Sequence, residues 1–199
     1  MTKVSETELI TTAQAGNIVC FPTDTLPALG VLPSRAQQIF TLKQRPLNKP
    51  LILMAASALE LWQFVEGTPQ EILIWQATAQ KYWPGALTLI LPASAHLNRA
   101  INPTDPTSVG LRIPNHPFAR AILTQTGPLA TTSANLSGEP PLETLAEIEL
   151  KFPQVFTLDW GENEKKMGSG LPSTVARWRE QNWEILRQGS VNILDFSHP

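Results

Sequence analysis

Short apolar runs alternate with helix-start signals through the first three quarters of this chain, and that alternation restricts the fold more than any other feature. Ser5 and Glu8 form an S-x-x-E capping box and predict a helix that Gly16 closes. The run "IVCFPT" then reads as a buried strand. Ser34 and Gln37 repeat the box and predict a second helix, with Ile39 and Leu42 on one face. "PLILMAA" is the next strand, and residues 69–83 suit a longer helix begun by Pro69. "LTLILPA" and "SVGLRIP" follow as strands, "FARAILTQT" as a helix, "PLATTS" as a strand and residues 142–152 as a helix. The tail changes character: "VFTLDW", "STVARWR" and "WEILRQG" read as short strands with no helix between them. A mixed α/β architecture with a strand-rich end accounts for this order. At 199 residues a single domain over 1–199 is the expectation. The polar, glycine-containing stretch "GENEKKMGSGLPS" reads as its one long loop.

Charge and cysteine content exclude several classes. With 15 Lys plus Arg against 17 Asp plus Glu, the chain lacks the basic excess of a protein that coats nucleic acid, although a local basic cleft remains open to it. The single Cys20 rules out an internal disulfide, and its place in "IVCF" predicts a buried, inert thiol. No Cys/His spacing suggests zinc. The N-terminal "MTKVSETELI" has no apolar signal core and no run reaches membrane-span length, so a cytoplasmic protein without membrane contact, or one whose targeting sequence is already gone, is expected.

The chemistry-bearing residues fall into a few clusters. Lys43, Arg45 and Lys49 lie within seven residues, beside Pro46 and Pro50. Pro46 pushes Arg45 out of the helical region, so the helix should end near Gln44. One cation there would complement the helix dipole; three ask for an anion. "LATTSANLSGEPP" starts as a strand and ends in Thr131, Thr132, Ser133, Asn135 and Ser137. Such hydroxyls and amides suit phosphate, ribose or carboxylate, or a simple turn leading to Gly138. "GSGLPST" (168–174) lacks the last glycine of a dinucleotide fingerprint, and no phosphate-binding G-x-x-x-x-G-K-[ST] loop exists. Arg112, among apolar strand neighbours, needs an anion: either a ligand or Asp24 in "FPTDTLPALG". His96, His116 and His198 form no dyad with a nucleophile, and the Trp and Phe residues read as core. Many cations and hydroxyls with no obvious base or metal cage suit phosphate chemistry done by positioning and charge neutralisation.

The pieces "FPTDT…LG", "KQRPLNKPLILM", "WPGALTLILPA", "VGLRIPNHP", "PLATTSANLSGEP", "PSTV" and "ILRQG", in this order over roughly residues 18–190, resemble the YrdC/Sua5 family of threonylcarbamoyl-AMP synthases in its short form. Lys43/Arg45 and Ser133/Asn135 match its K-x-R and S-x-N pairs. The resemblance implies a twisted mixed α/β sheet with flanking helices around a concave basic cleft. It implies that L-threonine, bicarbonate and ATP, with Mg²⁺, give threonylcarbamoyl-AMP and pyrophosphate. A separate tRNA threonylcarbamoyl-transfer complex then modifies adenosine 37 of tRNA. Lys43, Arg45, Lys49, Ser108, Ser133, Asn135 and Arg187 would hold ATP, with Lys43 and Arg45 catalytic. Thr25, Arg112, Thr131 and Ser173 would hold threonine; the metal ligands are not implied. Pro27 and Ala28 stand where many relatives have Tyr-Gly, and Met54 where longer relatives often have His, so the departures gather near the amino-acid pocket. The competing readings are a non-catalytic module binding tRNA or double-stranded RNA weakly in the same cleft, a nucleotide-binding relative with altered amino-acid specificity, and a carbamoyl-transfer activity like that of hydrogenase-maturation proteins. The last has no room here for its acylphosphatase and zinc-finger segments.

Overall fold

Capping chemistry sets the helix starts. In the computed structural model, which describes residues 2–159 and 168–192, Ser5 and Glu8 cap α1 (Glu6–Gln14) reciprocally. Thr68 and Glu71 do the same for α4 (Pro69–Tyr82), and Thr144 and Glu147 for α6 (Leu145–Lys151). The remaining helices are α2 (Gln37–Lys43), α3 (Ala58–Trp62) and α5 (Pro117–Thr126). Each box satisfies two backbone N–H groups that the helix itself leaves free. Thr68→Ala removes the hydroxyl that accepts from Glu71 N–H and should lower stability by about 1 kcal/mol in urea denaturation.

Ten strands form one mixed sheet in the order β1 (Thr2–Val4), β8 (Phe156–Leu158), β2 (Val19–Phe21), β3 (Ala28–Val31), β7 (Leu129–Ser133), β4 (Ile52–Met54), β6 (Ser108–Arg112), β5 (Leu87–Pro92), β9 (Thr174–Arg179) and β10 (Asn182–Arg187). Its register sorts the side chains onto two faces. Leu53 pairs with both Leu111 and Ala130, and Leu89 with Leu111 and Ala176. All five are fully buried, against Ile39 and Phe40 of α2, Leu61 of α3, and Trp75 and Ala79 of α4. One residue along each strand, side chains point the other way. There Thr131 pairs with Ile52, Ile52 with Gly110, Gly110 with Ile90, and Ile90 with Arg177.

That second face is only partly covered. Leu9 and Ala13 of α1 and Ala119, Ile122 and Leu123 of α5 pack on Val19, Phe21, Ala28, Leu129 and Met54. From β7 onward through β4, β6, β5 and β9 the row turns from apolar to mixed, because no helix seals it. The cleft lies where the helices of this face run out.

The structure departs from the sequence reading at α2 and adds three further elements. Ser34 does not cap α2: Pro33 starts a short 3-10 turn (Pro33–Arg35) that runs on through Ala36, whose backbone is already helical. Ile39 and Leu42 serve different clusters, Ile39 beneath the central strands and Leu42 against Cys20 and Leu29. Strands β1 and β3 and helix α3 are additional elements; β3, "ALGV", is buried along its whole length and so shows no alternation to read. Residues 161–167 of the expected loop lie outside the described residues. Gly168–Gly170 dock on the chain after β2, with Ser169 N–H donating to Asp24 C=O and Gly170 N–H to Thr25 C=O.

Candidate active site

Two adjoining cavities occupy the open face and share Pro50, Ile52 and Arg187. The smaller, about 160 Å³, is lined by Thr25, Arg45, Arg112, Thr131, Ser133 and Ser173, with Ala28, Ile52 and Met54 as apolar wall. The larger, about 350 Å³, has Ser108, Gly110, Thr88, Ile90 and Val175 in its lining, with Asp105 and Arg177. Eight of the eleven residues expected at the site therefore meet here: Thr25, Arg45, Ser108, Arg112, Thr131, Ser133, Ser173 and Arg187.

Lys43, Lys49 and Asn135 do not line either cavity. Lys43 is the last residue of α2, on the helix-covered side, and is only 1% exposed. Its ammonium donates to Thr132 Oγ1 (3.3 Å), Asn135 Oδ1 (3.2 Å) and the Ser133 carbonyl. Three donors meet three oxygens, so the side chain ties the helix end to the end of β7. Burial, and secondarily Arg45, push its pKa down to about 7. Asn135 sits behind Ser133: it accepts from Ser133 Oγ at 2.7 Å, and its amide donates to the Leu136 and Glu139 carbonyls. In the turn after Pro46, Lys49 N–H donates to Pro46 C=O, and the Lys49 side chain is exposed. Its carbonyl, not its ammonium, enters the site's framework. The three-cation clamp expected from sequence thus resolves into one cavity-lining arginine, one internal tie and one surface lysine.

The left-handed cap at Gln44 (φ 50°) turns the chain at the end of α2 and aims Arg45 at the cleft. Arg45 Nε donates to Lys49 C=O at 2.7 Å and Nη2 to Pro50 C=O at 2.9 Å. Arg187 is held in the same manner, by the Ser173 carbonyl (Nε 3.1 Å, Nη2 2.9 Å) and Ser173 Oγ (Nη2 3.2 Å). Neutral oxygens fix both guanidinium groups and leave their charge uncompensated by any carboxylate contact among the described residues. Partial burial lowers the pKa of Arg45.

Arg112 is different. It is 3% exposed, and Nη2 meets Asp24 Oδ1 at 2.7 Å. Nη1 donates to Thr25 Oγ1 at 2.8 Å and Nε to Gly85 C=O at 3.1 Å. Of the two readings open from sequence, the structure contains the pair with Asp24; those bonds still leave one N–H on each terminal nitrogen. Thr23 Oγ1 commits its proton to Leu26 C=O (2.7 Å), so the 3.0 Å contact between the two hydroxyls makes Thr25 the donor. Thr25 Oγ1 therefore donates to Thr23, accepts from Arg112 and keeps one lone pair. Thr131 Oγ1 donates to Ile52 C=O.

Sequence reasoning did not single out Ile52, Thr88, Ile90, Gly110, Asn102, Asp105 or Arg177 as site residues. The signal for most of them is strand register, which places alternate residues of four strands on one face. Cys20 is buried, and burial pushes its thiol up to about 12. His116 is the N-cap residue of α5. Among the described residues no group of three or more His, Cys, Asp or Glu is placed to hold a metal, and no helix is long and apolar enough to cross a membrane.

Known proteins share this fold. The profile of the family described as Telomere recombination, which groups Sua5, YciO and YrdC, matches residues 11–189. The chain belongs to this family. It is 32% identical over 190 residues to the threonylcarbamoyl-AMP synthase of Vibrio parahaemolyticus, covering 92% of this chain and 97% of that protein. Among solved structures, P. abyssi Sua5 complexed with L-threonine superposes with a TM-score of 0.80 at 30% identity, over 94% of this chain and 55% of that one. Escherichia coli YciO shares the fold, with a TM-score of 0.78 at 21% identity over 97% of this chain and 94% of that one. The fold is the twisted mixed sheet with flanking helices that the motifs imply.

Proposed function

We propose that residues 1–199 form one catalytic domain that makes threonylcarbamoyl-AMP and pyrophosphate from L-threonine, bicarbonate and ATP. This is the first step of N6-threonylcarbamoyladenosine formation at position 37 of tRNA, and a separate transfer complex completes it. The reaction belongs in the cytoplasm, where ATP and tRNA are found. One observation carries this reading: Arg45 and Arg187, both tied down by neutral oxygens, flank a cavity that also holds the Arg112 fork.

The chemistry explains the need. The amine of threonine and bicarbonate give N-carboxy-threonine and water; an oxygen of the new N-carboxylate attacks the α-phosphorus of ATP, a P–O bond forms and pyrophosphate leaves. Anion meets anion, and two unit charges about 4 Å apart repel by roughly 4 kcal/mol at an effective dielectric of 20. Arg45 and Arg187 offset that repulsion and the charge gathering on the leaving group, with donors fixed before the substrate arrives. Arg112 offers its two remaining N–H groups to the amino acid's carboxylate, and Thr25 its lone pair to a donor on the substrate. Ser173 braces Arg187, and Thr131 and Ser133 complete the wall. Lys43 and Asn135 hold Ser133 in place from behind, and Ser108 serves the nucleotide end. Mg²⁺ enters with the ATP phosphates, as substrate.

Pyrophosphate release should require both L-threonine and bicarbonate. Release with ATP alone, or none despite ATP binding, defeats the reading. Salt-sensitive RNA binding without turnover would point to the non-catalytic alternative. Arg45→Lys keeps the charge but cannot span the two carbonyls, and kcat/KM for ATP should fall about tenfold in the same assay.

A further inference from the structure

Strand β6 carries a glycine at its centre, on the open face. Gly110 pairs with Ile52 and Ile90 and lines the 350 Å³ cavity with both. Its backbone does not call for glycine, since its φ lies outside the left-handed region. Nor does packing. A Cβ there would lie 3.4 Å from Ile52 Cγ1, 3.6 Å from Thr88 Cγ2 and 3.9 Å from Ile90 Cγ1, all ordinary contacts. Gly30, in the same cross-strand row, is the contrast: its Cβ would come within 2.8 Å of Phe21 Cε1, so the core requires that glycine. A glycine inside a strand weakens it, and often marks a place where a ligand approaches closely. What Gly110 provides is a flat, empty floor in the larger cavity.

We infer that Gly110 is a specificity-determining residue, its missing side chain leaving the surface on which the base ring of the nucleotide lies. This rests on the reading that the cleft takes ATP. The branched side chains of Ile52, Ile90 and Val175 surround that floor and offer the apolar contact a planar ring needs. The smaller cavity suits a ring poorly, because Arg112, Thr25, Thr131 and Ser173 line it. The end of the larger cavity beside Ser108 is rich in acceptors. Ser108 Oγ donates to Asp105 Oδ2 at 2.7 Å and accepts from Asn102 Nδ2 at 3.2 Å. Ser108 and Asp105 keep lone pairs there, which match the donors of a nucleoside, while Arg177 brings a guanidinium to the same lining.

The test is direct binding by calorimetry of Mg·ATP and, separately, of inorganic pyrophosphate to the wild type, Gly110→Ala and Gly110→Val, with thermal unfolding of each. Both variants should keep or raise the melting temperature. ATP should bind about tenfold more weakly to Gly110→Ala and weaker still to Gly110→Val, while pyrophosphate affinity and the KM for threonine stay within about twofold. Unchanged ATP affinity in either folded variant overturns the assignment. So does a lower melting temperature for Gly110→Ala, which would make the glycine a need of the sheet, and so does an equal loss of ATP and pyrophosphate. A wild-type chain that binds no ATP would instead sink the synthase reading, and this inference with it.

Discussion

Asp24→Asn should lower stability by about 3 kcal/mol at pH 7, although it keeps the size of the side chain and an oxygen able to accept both bonds that Oδ1 receives. Asp24 Oδ1 accepts from Arg112 Nη2 at 2.7 Å and from Asn115 N–H at 3.0 Å. An asparagine oxygen can keep both bonds. What disappears is the charge, and Arg112 then remains as a cation with its side chain 4% exposed and Arg187 nearby to repel it. Burial already lowers the Arg112 pKa, with Asp24 as the compensating influence. Urea denaturation checks this, and a loss below about 1 kcal/mol would mean that water reaches Arg112 far more freely than its burial implies. Asp24→Leu combined with Arg112→Met should regain most of that loss, because an apolar pair of similar volume avoids the desolvation of two ions. The double variant should nonetheless fail to use threonine. Stability restored without activity would show that the pair is kept for the substrate carboxylate and not for the fold.

Much of the site could be read from the chain because its residues sit in local motifs. Pro46 ends α2 near Gln44, as its effect on the preceding residue requires, and Arg45 leaves in the direction that turn dictates. Ser133 and Asn135, two apart in one motif, meet at the end of β7, where Ser133 Oγ donates to Asn135 Oδ1. The limits are equally physical. Spacing alone cannot tell whether a lysine at a helix end turns outward or reaches beneath a strand, and Lys43 goes under β7 because Ser133, Thr132 and Asn135 supply three oxygens there. Lys49 falls in a turn whose hydrogen bond to Pro46 brings its carbonyl, not its ammonium, to Arg45. The larger cavity's floor joins Ile52, Gly110, Ile90 and Val175 from four strands, and only register puts them side by side. Strand β3 escaped for the opposite reason: both of its faces are covered, so its sequence carries no period.

Lys43 gives the second large effect, a stability that rises with pH where most proteins are flat. Its pKa falls from 10.5 to about 7 on folding, chiefly by burial. Between those values the unfolded chain binds a proton that the folded chain does not, so raising the pH favours the folded state. Below about 7 both states hold the proton, and the full cost of the buried cation is present. The slope approaches about 1 kcal/mol per pH unit, so the gain from pH 7 to 9 should be about 2 kcal/mol. Two other groups border that window. His116 is shifted below its usual 6.5 and contributes only on the acid side, while the Cys20 thiol, raised from 9.0 to about 12, begins to oppose the trend as the pH nears 9. Lys43→Met should flatten the curve of urea-derived stability against pH from 7 to 9 without a comparable loss of fold, since Ser133 C=O keeps its bond from Asn135 N–H and Asn135 Oδ1 keeps its bond from Ser133 Oγ. A wild-type curve flat over this range would mean that the three oxygens around Nζ hold the charged form against desolvation. Lys43 would then be a permanent cation beneath the cleft, adding a fixed positive field behind Arg45 in place of a titrating tie.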